Sequence, residues 1–294
     1  MKNRIMNFLL GLIFLAGLSL LLYPTFSEYW NSYRQSRAIA SYTKEIANID
    51  TEQYDEYLKA AREYNDKIWD RSNIYVLSEE EKAEYEGMLN MSGNGIMGYV
   101  EIPKIKCSLP IYHGTEESVL QIAIGHLDWS SLPIGGENTH SVLSGHRGLP
   151  SAKLFTDLDK MVEGDLFHIR VLNEVLTYEV DQIKVVLPEE TEDLHIIEGE
   201  DYCTLFTCTP YGINTHRLLV RGHRVATVET VDEDGNVTEE PIIDLETLER
   251  QRLEENLRKA LTLVGAITAA MLVLVVAFKI SKNKKRGGDA NEDK

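Results

Sequence analysis

The chain has 294 residues, enough for one large domain or two small ones with a core that needs no disulfide staples. Its 47 acidic and 30 basic side chains leave a net charge of −17, and 43% of the residues are hydrophobic. That balance excludes nucleic acid as a partner, because phosphate binding needs clustered Lys and Arg; the acidity itself reads as a solubilising surface. The hydrophobic residues are spread unevenly, with two long apolar runs framing a polar, acidic middle.

Residues 5 to 27 carry no charged side chain, and Lys2 and Arg4 stand just before them. The run through Phe8-Leu9-Leu10-Gly11-Leu12-Ile13-Phe14-Leu15 is longer than a secretory signal core. The stretch Tyr23-Pro24-Thr25-Phe26-Ser27-Glu28 is no small-x-small cleavage site, so a retained anchor over residues 1–27 is expected in preference to a signal peptide. From 28 to 90 the chain is rich in Glu, Lys, Tyr, Ala and Asn and has no Pro. Tyr54, Tyr57, Leu58 and Ala61 recur at helical spacing, which predicts one or two helices.

From Gly98 the texture changes to short β-rich runs over 99–102, 109–112, 141–143, 166–171, 176–180, 183–186, 204–207 and 217–220. Gly and Pro punctuate them, a spacing that suits a β-barrel or sandwich over residues 91–228. Residues 229–259 read as an acidic spacer, with a turn at Asp234-Gly235, leading to a juxtamembrane helix. Between Glu229 and Glu249 there are nine acidic residues and no basic ones. Its spacing matches no EF-hand loop, so no calcium site is expected there.

The last segment, 260–294, opens with nineteen uncharged residues, Ala260 to Phe278, and continues into Lys279, Lys282, Lys284, Lys285 and Arg286. At ~1.5 Å per residue the apolar run spans roughly 28 Å, about a bilayer core. Basic residues lie outside both anchors, at the two termini. The positive-inside rule then puts both ends in the cytoplasm and residues from about 28 to 259 outside a two-pass membrane protein.

An outward-facing domain of this kind could bind or catalyse. Three cysteines, Cys107, Cys203 and Cys208, form no complete disulfide framework, and none has C-x-x-C spacing, so no metal is expected. An exported chain with so few cysteines suggests a free thiol with a task. Cys208 ends a predicted strand in Thr204-Leu205-Phe206-Thr207-Cys208-Thr209-Pro210-Tyr211-Gly212, where a thiol is exposed on a rigid backbone. Thiol catalysis also needs a proton carrier and a group for developing negative charge. His146, where a strand runs into Gly145-His146-Arg147-Gly148, competes for the first role with His126 above all, and with His113, His140, His216 and His223. Arg217 opens a strand nine residues after Cys208. Alternation places Arg217, Leu219 and Arg221 on one face. A guanidinium never deprotonates and suits an oxyanion, although Arg217 and Arg221 also fit plain surface charges.

Thr-Leu-Phe-Thr-Cys resembles the T-L-x-T-C signature of sortases. The stretch Thr204 to Arg224 and the run Leu143-Ser144-Gly145-His146-Arg147-Gly148-Leu149-Pro150-Ser151-Ala152 resemble class C, pilus-assembling members in particular. Gly98-Tyr99-Val100-Glu101-Ile102-Pro103 and Ile111-Tyr112-His113-Gly114 follow the same pattern. The resemblance covers residues 90 to 225. It implies a mainly β fold: an eight-stranded barrel with short helices, here preceded by a helical segment and flanked by two transmembrane helices. It implies a Cys–His–Arg site at Cys208, His146 and Arg217, with no cofactor.

The implied substrates are pilins or surface proteins carrying an LPxTG-like sorting signal. Cys208 would cleave the signal between Thr and Gly as a thioacyl enzyme, and a lysine of another pilin would resolve it. That makes the chain a transferase in practice and a thiol peptidase in formal class, on the cell membrane of a Gram-positive-type cell. A sortase that anchors proteins to the cell wall and an inactive membrane scaffold are the competing readings. Class C members carry a lid with an Asp-Pro-aromatic motif, and no Asp-Pro occurs in this chain. The candidate lid residues are Trp69 and Asp70, in the reverse order; packing within a helix is the competing reading for Trp69.

Overall fold

A computed structural model of the whole chain describes residues 2–69, 76–227, 230–231, 237–238, 247, 250–251, 253–262 and 264–269. The chain divides into two compact units, residues 1–25 with 250–294, and residues 26–249. In the first unit the N-terminal residues are helical and display Phe8, Leu12, Ile13 and Leu20 as exposed apolar side chains. Helix α1, Lys2–Ile46, is long and apolar enough to cross a membrane, the one such helix among the described residues. Pro24 lies within it, where the missing N–H removes one helical hydrogen bond without ending the helix. The described residues between 250 and 269 are helical. Most of the second apolar run, the basic tail and nearly all of the acidic spacer lie outside the described residues. From 230 to 238 only a two-residue ladder is described, Thr230–Val231 with Val237–Thr238.

The second unit begins with the C-terminal part of α1, followed by α2, Thr51–Trp69, and α3, Glu79–Gly87. The expectation of one or two helices is thus exceeded by one, because the anchor helix runs on through residue 46. Helix α2 buries Ala61, Tyr64, Asn65 and Ile68, a single stripe at the three- and four-residue spacing that a helix places on one face. Tyr54, Tyr57 and Leu58 extend the stripe and pack at its edge. Asn65 satisfies both ends of its amide on the barrel: Nδ2 donates to the Leu132 carbonyl at 3.2 Å, and Oδ1 accepts from Leu132 N–H at 2.7 Å. Helix α3 starts at a capping box in which Ser78 and Glu81 each accept the other's backbone N–H. On α1, the Tyr42 hydroxyl donates to the Met97 carbonyl at 2.9 Å and accepts from Leu172 N–H at 2.8 Å, which fastens the helix to one strand and to the turn directly after another.

Those strands belong to a closed eight-stranded barrel. They are β1 Ile96–Ile102, β2 Cys107–His113, β3 Ile124–His126, β4 Thr139–Ser144, β5 Leu166–Val171, β6 Glu174–Val186, β7 Asp201–Thr209 and β8 His216–Val225. A short helix, α4, Glu117–Leu120, lies between β2 and β3. Around the barrel the order is β1-β2-β3-β4-β7-β8-β6-β5, with β2–β3 and β4–β7 parallel and the other pairs antiparallel.

Two features differ from the sequence reading. The runs at 176–180 and 183–186 are one strand, β6, with a register shift between Val180 and Gln182. Strand β3, three residues long, is the eighth. Inward-facing Phe167, Ile169, Tyr178, Val180, Cys203, Leu205, Leu218 and Val220 fill the core. Gly98 on β1 lets β5 approach closely, since a Cβ there would lie 2.3 Å from the Arg170 carbonyl oxygen.

Candidate active site

The barrel brings Cys208, His146 and Arg217 to one end of three adjacent strands. On β7 the side chains of Cys203, Leu205 and Thr207 are buried, while Cys208 and Phe206 are partly exposed. Cys208 therefore points to the outer face, one residue before the strand ends. In the β7–β8 ladder Cys208 is directly paired with Arg217, Phe206 with Leu219 and Thr204 with Arg221. Paired residues share a face of the sheet with Cβ atoms about 5 Å apart. The alternation read from the sequence holds: Leu218 and Val220 join the core, and Arg217, Leu219 and Arg221 face outward.

On the other side β4 runs parallel to β7, with Val142 beside Thr204 and Ser144 beside Phe206. Gly145 N–H extends the ladder by donating to the Phe206 carbonyl at 3.1 Å. His146 follows Gly145 directly, two residues beyond the Ser144–Phe206 pair that ends the ladder. The signature threonines hold this arrangement. Thr207 Oγ1 donates to the Gly145 carbonyl at 2.7 Å, directly before His146. Thr204 Oγ1 lies 2.7 Å from His140 Nε2.

Below the site, Phe206 packs on the outer face against Val142, Leu194 and Leu219. His146 is partly exposed; its Nε2 faces the Glu117 carboxylate at 3.8 Å, and its carbonyl accepts from Phe155 N–H at 3.1 Å. One Glu117 oxygen is held by the Gln121 amide. Arg217 Nη1 donates to the Asn214 and His216 carbonyls at 3.2 and 3.1 Å. Its Nε and Nη2 make no hydrogen bond to a described residue, which leaves donors for an oxyanion or a substrate carbonyl. Cys208 Sγ likewise bonds no described residue. No hydrogen bond joins Cys208 to His146 or to Arg217.

Of the rival histidines, His216 pairs with Thr209 beside the site and His223 with Tyr202 further along the same ladder, while the others are placed elsewhere. His126 on β3 is fully buried, with Nδ1 3.0 Å from the Tyr85 hydroxyl and Nε2 2.8 Å from the Ser131 carbonyl oxygen. Burial depresses its pKa to about 3, so the ring is neutral near pH 7. His140 Nδ1 lies 2.8 Å from the His195 carbonyl oxygen, and burial holds its pKa at about 4. His113 contacts the carbonyls of Gly95 and Met88. Cys203 is buried in the core, which pushes its thiol pKa up, and Cys107 is buried at the start of β2. Trp69 ends α2, 41% exposed, and Asp70 lies outside the described residues. No group of His, Cys, Asp and Glu among the described residues could hold a metal ion. Residues missed by the sequence reading are Glu117, which folding brings to the site, and Arg147, which follows His146 directly but meets Asp159 and Thr209 only in the fold.

A family model described as a sortase domain matches residues 100–225. Sortase D of Bacillus subtilis (strain 168) is 32% identical over 131 residues, 44% of this chain and 63% of that protein, so the chain spans under two thirds of this relative's length. Among solved structures, sortase C1 from Streptococcus agalactiae shares 52% identity at a TM-score of 0.64, with 65% of this chain and 100% of that one covered. Streptococcus pneumoniae sortase C, whose structure was reported for catalysis and pilin substrate specificity, shares 44% identity at a TM-score of 0.59, covering 65% and 97%.

Proposed function

Because the chain belongs to the sortase family and, within it, to the pilus-associated class C, we propose that it is a membrane-anchored cysteine transpeptidase that polymerises pilins. It would cleave an LPxTG-like sorting signal between Thr and Gly and pass the acyl group to a lysine amine of another pilin subunit. The observation that carries the reading is the cross-strand pair Cys208–Arg217, with His146 two residues beyond Ser144, the last β4 residue paired with β7.

In this reading the work divides as follows. The Cys208 thiol passes its proton to His146 as the sulfur attacks the Thr carbonyl carbon, and the carbonyl oxygen becomes an anion. Arg217 Nε and Nη2, which bond no described residue, would meet that charge, and a guanidinium retains its protons throughout. The C–N bond to Gly then breaks, and the leaving amine takes a proton from His146. That leaves a thioester on Cys208. The lysine amine attacks the thioester carbonyl and gives its proton back to His146, and the sulfur leaves as an isopeptide bond forms. His146 thus acts as acid in one half-reaction and base in the other. Alignment of three groups on adjacent strands supplies the positioning that makes such steps effectively unimolecular.

The test is to mix the full chain in detergent with a pilin bearing the signal and search for a thioacyl mass adduct on Cys208. Addition of a second pilin should convert the adduct to an isopeptide-linked dimer. Cys208→Ala should give neither product, and polymer formed by that variant would overturn the reading. Transfer to a short cell-wall-type peptide amine, with pilin lysines ignored, would reassign the enzyme to surface-protein anchoring. The proposed topology, with both termini cytoplasmic, draws support from the apolar part of α1 and from the basic residues at the two ends of the sequence. Labelling of cysteines introduced at residues 3 and 290 in intact cells tests it, and reaction with an impermeant reagent would overturn it.

A further inference from the structure

Arg147, the residue after His146, touches two further parts of the site. Its side chain is only 9% exposed. Nη2 donates to Asp159 Oδ2 at 2.5 Å, and Nη1 donates to Thr209 Oγ1 at 3.2 Å. The guanidinium carbon lies 5.9 Å from the centre of the Tyr211 ring. Thr209 follows Cys208, and Tyr211 lies in the loop that joins β7 to β8 and leads to Arg217. The same ring closes over Gly148. A Cβ added at Gly148 would lie 3.0 Å from it, and the backbone there has φ +80°, so the position is restricted to glycine twice over. The Arg-Gly pair after the histidine and the Thr-Pro-Tyr stretch after the cysteine therefore interlock.

The chemistry of the contact calls for arginine. A planar fork can donate to a carboxylate on one side and a hydroxyl on the other while its face meets an aromatic ring. An ammonium is a point donor and cannot hold all three. Burial raises the cost of disrupting the arrangement, because a guanidinium without its carboxylate would be left poorly solvated. The pair Arg147–Asp159 fixes the fork, and the fork in turn reaches the residue beside the thiol.

We propose that Arg147 is a positioning residue of the site: its guanidinium ties the His146 turn to the end of the Cys208 strand and sets the thiol–imidazole geometry that acylation needs. This rests on the transpeptidase reading above. Arg147 acts through its neighbours, so its loss should appear in the acylation step more than in peptide binding. A displacement of about 1 Å at a reacting pair costs on the order of 100-fold in rate.

The experiment uses the full chain in detergent with an LPxTG-like peptide, single-turnover acylation of Cys208 being followed by mass. Arg147→Lys and Thr209→Val should each lower the maximal acylation rate by roughly 10- to 100-fold, with the half-saturating peptide concentration essentially unchanged. Thr209→Ser keeps the hydroxyl and should restore the rate. The Arg147→Lys, Thr209→Val double variant should be no slower than Arg147→Lys alone, since both remove one contact. Hydrogen exchange over residues 145–150 and 208–216 should accelerate in Arg147→Lys and Thr209→Val while the thermal midpoint stays near wild type. Unchanged exchange would overturn the clasp; faster exchange with a wild-type acylation rate would overturn its positioning role. A wild-type chain that forms no adduct would overturn the function proposed above, and the exchange measurement would still decide whether the clasp exists.

Discussion

Thr207→Val is the substitution that most directly probes how the fold holds the site. Thr207 is 1% exposed and donates to the Gly145 carbonyl at 2.7 Å, one residue from Cys208 on β7 and one from His146 beyond β4. Valine has the same shape, so packing changes little; what is lost is the donor. A buried hydrogen bond is worth about 1 kcal/mol net, and a buried acceptor left unsatisfied raises the cost to roughly 1–3 kcal/mol. For a unit of this size that is a fall of about 2–10 °C in thermal midpoint. The cost to catalysis should exceed what that loss of stability explains, because the freed carbonyl directly precedes His146. Scanning calorimetry and single-turnover acylation measured on the same preparations check both parts. Thr207→Ser keeps the donor and should acylate near the wild-type rate. A Thr207→Val enzyme within about 0.5 kcal/mol of wild type and equally fast would refute the claim that this bond holds the two catalytic strands in register.

Elsewhere, Glu101 is fully buried and its carboxylate accepts from Arg170 Nε at 2.7 Å. Arg170→Met should cost ~3–5 kcal/mol in urea unfolding, and adding Glu101→Gln should recover a large part of it; equal stabilities of the two variants would contradict the account. His140 is neutral in the folded chain because burial holds its pKa at about 4, whereas an unfolded His titrates near ~6.5. The unfolded state therefore binds the extra proton between those values, and stability falls as pH drops through that window, by at most about 1.4 kcal/mol per pH unit. His140→Gln should flatten the urea midpoint there, and an unchanged slope would count against the assignment. If residues around Trp69 and Asp70 cover the thiol, replacing both by Ala should speed alkylation of Cys208; an unchanged rate would discard the lid.

Much of this arrangement could be read before folding was considered. Strand alternation put Arg217 and Arg221 on one face, and the ladder places them outward with the core residues Leu218 and Val220 between. Leu219 on the outer face is buried too, under Phe206, Val142 and Leu194, so the period of two shows in the charged residues Arg217 and Arg221 on either side of it. The missing strand, β3, failed the same test. Three residues with burial on every position have no alternation to show. The two apparent strands of 176–186 were split by Asp181, which falls in the bulge of β6 and donates no apolar side chain to either face. Its carboxylate instead accepts two bonds from Arg221, at 3.1 and 2.6 Å.

The choice between His126 and His146 shows where sequence reasoning stops and geometry takes over. Each follows a glycine at the end of an apolar stretch, and local context separates them little. The difference lies in what covers them. His126 is met by Tyr85 from α3, whose ring stacks 5.7 Å away and whose hydroxyl reaches both Nδ1 and the carbonyl. Burial by a helix forty residues earlier takes that histidine out of proton transfer. His146 lies beyond the last ladder pair of β4, partly exposed, with its ring turned toward the exposed carboxylate of Glu117 at the start of α4. The proton carrier is thus selected by which strand ends in the open, and that depends on the helical segment as much as on the barrel. A variant lacking the Tyr85 side chain, Tyr85→Ala, should leave His126 still buried by the barrel but without its Nδ1 partner. It should lower stability by about 3–5 kcal/mol, the usual cost of truncating a large buried aromatic. The Cys208–Arg217 pairing depends on none of those contacts, so a folded Tyr85→Ala enzyme should keep its acylation chemistry at low temperature. Loss of acylation in the folded variant would mean that the helical segment takes part in the chemistry directly.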